Sequence, residues 1–127
     1  MIKANELRIG NLVINAKGEN IIVDNITIGI CFGLPKTYKP IPLTEEILLK
    51  CGFEKRDVSL MTKEINDDMT FSFSIKDSRP LYVIIENMQY DMDNRINTTE
   101  IVIECDSLHQ LQNIYFALTS EELDVTL

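Results

Sequence analysis

The chain has 127 residues, 45% of them apolar and 25% charged, with a formal net charge of −8. That is ordinary globular usage, enough to bury a core without disulfide or metal staples and far from disordered composition. The charge is uneven: residues 1–63 hold nine Lys/Arg against seven Asp/Glu, net +2, and residues 64–127 hold three against thirteen, net −10, which argues against duplex nucleic-acid binding by the second half, since counterion release needs clustered cations.

Three cysteines, Cys31, Cys51 and Cys105, are odd in number and form no C-x-x-C pair, so reduced thiols are expected and neither a disulfide framework nor a zinc ribbon. The opening Met1-Ile2-Lys3-Ala4-Asn5-Glu6 lacks a signal-peptide apolar region, and the longest nearly apolar run, Ile26 to Leu34, is far short of a membrane span. A cytoplasmic protein without a membrane segment is the expectation.

In chain order, Leu7 to Ile14 leads to a turn at Ala16-Lys17-Gly18, and β-branched runs follow at Ile21-Ile22-Val23 and Ile26-Thr27-Ile28-Gly29-Ile30. Short strands between turn residues predict a β-meander over about 7–43 with the strand rhythm of an SH3-like barrel, bent at Gly10 and Gly29. The proline-rich stretch from Gly33-Leu34-Pro35 to Pro40-Ile41-Pro42 is a loop or edge segment, because its prolines remove ladder donors. A short helix over about 45–51 follows: Thr44 is its N-cap, Glu45 and Glu46 complement the positive helix end, Leu43 and Leu48 have staple spacing, and Gly52 is the stop.

Phe71, Phe73 and Ile75 alternate with small polar residues as a strand with one wet face does. Asp77-Ser78-Arg79-Pro80 turns the chain into the more apolar Leu81 to Glu86, and the two runs predict a hairpin. Met88, Tyr90 and Met92 then alternate on the opposite parity, which predicts a bulge near Glu86-Asn87. Asn94 to Thr99 reads as a turn, and Ile101 to Cys105 as the returning strand of a sheet over about 70–105.

The last helix is expected over about 108–118. Ser107 and Gln110 have capping-box spacing, and Leu108, Leu111, Ile114, Tyr115 and Leu118 share a stripe that would pack on the sheet. His109, Gln112, Asn113 and Phe116 fall on another side. Amides and an imidazole beside an aromatic can bond a partner without desolvating a charge, or else bond neighbouring loop backbone. These four are the candidate binding residues.

Other chemistry tests poorly. Asp91-x-Asp93 begins like a calcium loop, but Arg95, Ile96 and Val102 stand where a ligand, a glycine and a bidentate acid are required. With His109 the single histidine, two-histidine metal sites are impossible, and Asp67, Asp68, Asp91 and Asp93 offer a weak carboxylate cluster at best. Cys105 and His109, four apart, are conceivable as a thiolate–imidazole pair, but Cys105 shares its alternation with Ile101 and Ile103, so the thiol should point inward. No nucleophile elbow, phosphate loop or dinucleotide glycine pattern occurs. No catalytic residue, metal or cofactor is expected.

Four blocks have a familiar order and spacing: Asn5-Glu6-Leu7-Arg8-Ile9-Gly10-Asn11; Lys39 through Lys50; Gly52-Phe53-Glu54-Lys55; and Leu108 through Thr119 with Glu121-Glu122-Leu123. In these the chain resembles a group of small uncharacterised proteins from Bacteroidetes genomes and their phage-like mobile elements; residues 56–100 lie outside the resemblance. It implies a bacterial or phage setting and a small cytoplasmic protein, with no substrate or cofactor attached. The combined expectation is a single α+β domain over 1–127: an SH3-like β-meander, a short helix, and an antiparallel sheet backed by the C-terminal helix. Its function would be that of a non-enzymatic protein-interaction or accessory module of a bacterial mobile element, with an acidic mimic or modulator acting on a nucleic-acid-binding protein as the alternative; partner identity and oligomeric state are left open.

Overall fold

A computed structural model describes residues 2–34, 36–76, 79–90, 92–93 and 96–127. The fold is α+β, and its described residues form two compact units. The first comprises residues 1–43 and 107–123, the second residues 44–106 and 124–127. Residues 44–106 of the second thus interrupt the first along the chain, and its last four residues follow it.

In the first unit a 3₁₀ turn, Ala4–Glu6, precedes the antiparallel ribbon of β1 (Leu12–Ile14) and β2 (Asn20–Ile22). Ile14 also bridges Lys39, so the proline-flanked segment lies along the ribbon as an edge. Helix α1 (Asn25–Gly33) follows, where the β-branched run over Ile26–Ile30 predicts a strand. The correction has a local cause: the Asp24 carboxylate accepts from both the main-chain N–H and the hydroxyl of Thr27, each at 2.8 Å, and that N-cap outweighs a propensity difference of a few tenths of a kcal/mol per residue. Ile2, Val13, Val23, Cys31 and Tyr38 make the core of this unit. Helix α1 buries Thr27 and Cys31 and leaves Ile26, Ile30 and Phe32 outward.

Helix α3 (Leu108–Thr119) belongs to this unit. Its buried residues are Leu108, His109, Leu111 and Gln112. The buried face is therefore rotated from the predicted leucine stripe, and Leu118 is 44% exposed. Ser107 is the N-cap residue, but its side chain makes no capping bond; its hydroxyl lies 3.2 Å from His109 Nδ1. The capping-box reading of that hydroxyl is corrected accordingly.

The second unit opens with α2 (Glu45–Lys50), capped as expected by the Thr44 hydroxyl, which accepts from the Ile47 N–H at 3.2 Å. Five antiparallel strands follow in meander order: β3 (Glu54–Asp57), β4 (Leu60–Glu64), β5 (Met69–Lys76), β6 (Arg79–Tyr90) and β7 (Ile96–Glu104). Met61, Phe71, Phe73, Val83 and Ile85 are buried, and the register sets them on one face as cross-strand neighbours. Phe53 meets Phe73 edge-on, with ring centroids 5.4 Å apart, a favoured aromatic geometry. The expected bulge at Glu86-Asn87 is absent: β6 and β7 pair without a slip from Tyr82↔Glu104 to Tyr90↔Ile96, and the register shift in β5–β6 falls between Phe73 and Ile75. Met88 simply continues the outer face. Ile96–Thr99, predicted as turn, belong to β7, and the turn residues Asp77, Ser78, Asn94 and Arg95 lie outside the described set.

Candidate functional site

The predicted helix face comes together around the N-terminal segment. Gln112 acts toward the main chain as a strand residue would: its Oε1 accepts from the Leu12 N–H at 2.8 Å, and its Nε2 donates to the Gly10 carbonyl at 3.3 Å. Asn113 donates to the Glu6 carbonyl at 2.8 Å and accepts from the buried Asn11 amide at 2.8 Å. Asn11 in turn accepts from the Arg8 N–H at 2.7 Å. His109 and Gln112, placed on an outward face by the helical wheel, are 1% and 3% exposed. His109 Nε2 lies 3.5 Å from a Glu6 carboxylate oxygen. Phe116 is the outward member, and the Arg8 guanidinium sits 4.2 Å from its ring centroid, a cation–π distance. Arg8 also grips the Glu122 carboxylate with both terminal nitrogens, one at 3.0 Å, which holds that carboxyl below its ordinary range. The four residues fasten segment 6–12 to helix α3.

The cysteine chemistry is closed off. Cys105 is fully buried, and a sealed thiol offers no route for a substrate. Cys51 is buried too, and desolvation pushes its thiol up to about 11. Asp67, Asp68 and Asp93 are exposed, and Asp91 lies outside the described residues. Among the described residues no three His, Cys, Asp or Glu side chains are grouped to hold a metal, and no helix is long and apolar enough to cross a membrane. A depression of about 180 Å³ on the sheet unit is lined by Gly52, Glu54, Arg56, Thr62, Lys63 and Glu64, where Arg56 donates to Thr62 Oγ1 at 2.9 Å.

The outer face of the sheet differs from side to side. At β3–β4, Arg56 lies 3.6 Å from Glu54 and 3.7 Å from Glu64. At β6–β7 the register places Glu86 directly opposite Glu100, with Ile84↔Val102 and Tyr82↔Glu104 beside them. Met88 N–H donates to the Asp68 carbonyl at 2.7 Å, so even-numbered residues of β6 turn their main-chain groups toward β5 and odd-numbered ones toward β7. Glu86↔Glu100 is therefore a non-hydrogen-bonded pair, the arrangement in which opposed side chains come closest, and like charges there are destabilising. Among the side chains the structure describes, no Lys or Arg forms an ion pair with Glu86, Glu100 or Glu104.

The same parity fixes the sheet edge. Thr99, Ile101 and Ile103 face β6, so Thr98, Glu100 and Val102 direct N–H and C=O groups away from the sheet. Among the described residues β7 pairs with β6 alone. Sequence reasoning found the strand but not its edge position, which depends on strand order.

Comparison with protein-family models, with curated proteins and with solved structures gives no match.

Proposed function

We propose that this chain is a non-enzymatic interaction module, an accessory protein of a bacterial mobile element working in the cytoplasm, whose acidic sheet unit docks a basic partner protein. The observation that carries the reading is the partition of charge. Residues 44–106 and 124–127 hold seven Lys/Arg against fifteen Asp/Glu, net −8, whereas residues 1–43 and 107–123 hold five against five. One unit is neutral and the other carries the whole excess, an arrangement that favours encounter with a positive surface. The amide network around Gln112 and Asn113 supports a fastening role for the neutral unit, with Phe116 its exposed aromatic. The SH3-like likeness rests on strand rhythm, supported by the β1–β2 ribbon and the Ile14–Lys39 bridge, and brings no activity with it.

The immobilised full chain, compared with the charge-reversed E86K/E100K/E104K variant, tests this. The expected result is a protein retained from bacterial lysate by the native chain, released by salt and not retained by the variant. Equal retention by both, or no specific retention by either, contradicts it.

A second reading, an acidic modulator competing with nucleic acid for a basic protein, is favoured by Glu86, Glu100 and Glu104 lying on one face of two adjacent strands. It predicts that duplex DNA displaces the retained partner.

A further inference from the structure

We infer that the free edge of β7, residues 98–104, is a strand-addition site for an extended basic segment of the partner; this rests on the reading above and specifies how the partner is held. The two edges of the sheet are built differently. Strand β3 is four residues long, Glu-Lys-Arg-Asp, exposed throughout and with a register shift between Lys55 and Asp57. Short length, charge and irregularity are the devices by which proteins blunt an edge. Strand β7 is nine residues long, contains no Lys or Pro, and pairs in unbroken register. Ile101 and Val102 on it are 48% and 60% exposed. Its outward main-chain groups at Thr98, Glu100 and Val102 offer a straight ladder to an incoming strand.

The side chains flanking that ladder define the occupant. On the outer face an added strand would lie beside Glu100, Val102 and Glu104; on the other face, beside Ile101 and Ile103. A segment alternating Lys or Arg with Val or Ile matches both faces, and its cations relieve the Glu86–Glu100 opposition. A second copy of this chain fits worse, since it brings another unit of net charge −8 and the same two glutamates to the seam.

The probe is a dye-labelled peptide of about ten residues, a typical longer strand, alternating Lys and Val; its counterpart alternates Glu and Val. Titration into the full chain, read by fluorescence anisotropy, is expected to show the basic peptide binding at least tenfold more tightly. Val102→Pro deletes an outward N–H without touching the β6–β7 ladder, as proline is tolerated on edge strands, and is expected to weaken binding at least tenfold, while Val102→Thr does not. Should the proline variant fail to fold, amide exchange on the native chain decides: peptide must slow the N–H groups of Thr98, Glu100 and Val102. Undiminished binding by a folded V102P, or exchange unchanged by bound peptide, overturns the edge site while leaving acidic docking in place. Failure of the basic peptide to bind a chain that still captures a salt-released partner also overturns it. A dimer that V102P dissociates gives the edge to a second copy and overturns the basic occupant.

Discussion

Replacing Gln112 by leucine removes a donor and an acceptor that the main chain at Leu12 and Gly10 uses, and leaves the Leu12 N–H without its partner at a buried helix face. A side chain of similar size fills the space but not the bonds, so the expected loss is about 2 kcal/mol in urea denaturation, in the range for a buried polar group left unsatisfied. Leu118→Gln, at a position nearly half exposed, should change stability by less than about 0.5 kcal/mol. Asp24 supplies a pH-dependent contribution. Hydrogen bonds from the Thr27 main chain and hydroxyl hold its carboxyl below the ordinary 3.8, so its contribution is complete above that value and disappears as pH falls through the lower, folded one. Asp24→Asn keeps an N-cap and removes that titration. The urea midpoint of the native chain should therefore fall more steeply below about pH 4 than that of the variant; parallel curves would contradict the assignment.

At the scale of elements, helix α2 was legible to within one residue, expected over about 45–51 and observed over Glu45–Lys50, because its signals are all local. Gly52 ends it in a left-handed conformation at φ +88, with Phe53 N–H donating to the Leu48 carbonyl at 3.0 Å and Gly52 N–H to Leu49 at 3.1 Å, the paired bonds of a Schellman stop. Lys63 Nζ donates to the Cys51 carbonyl at 2.9 Å, and a Cβ on Gly52 would come within 2.6 Å of that amine. Gly52→Ala is expected to cost about 1–2 kcal/mol from backbone strain, measured as a lower melting temperature. Elements set by distant partners were not legible. Strands β3 and β4 have too few apolar residues to show a period, since β3 is an edge of charged residues and β4 buries Met61 and Thr62 alone. Helix α1 runs against the strand preference of its isoleucines, and the Asp24–Thr27 cap that decides it is a local signal present in the sequence. The amides of α3 stood out by type, but whether they face solvent or main chain depends on where segment 6–12 lies.

For the whole molecule, the charge imbalance was legible as a count along the sequence, but its partition was not. Glu121 and Glu122, at the acidic end of the chain, belong to the neutral unit, and Glu45, Glu46, Glu54 and Asp57, from the first half, belong to the acidic one. Edge position is likewise a property of strand order. The proposed docking depends on it, because among the described residues the last strand of the sheet unit, whose net charge is −8, pairs on one side alone. Amide hydrogen exchange along β7, resolved residue by residue, examines that claim most directly. Free ladder positions should alternate, with Thr98, Glu100 and Val102 exchanging fast and Thr99, Ile101 and Ile103 slowly, and the basic peptide should slow the fast set alone. Uniform protection along β7 in the free chain would contradict the account, because it would mean that the edge is already covered.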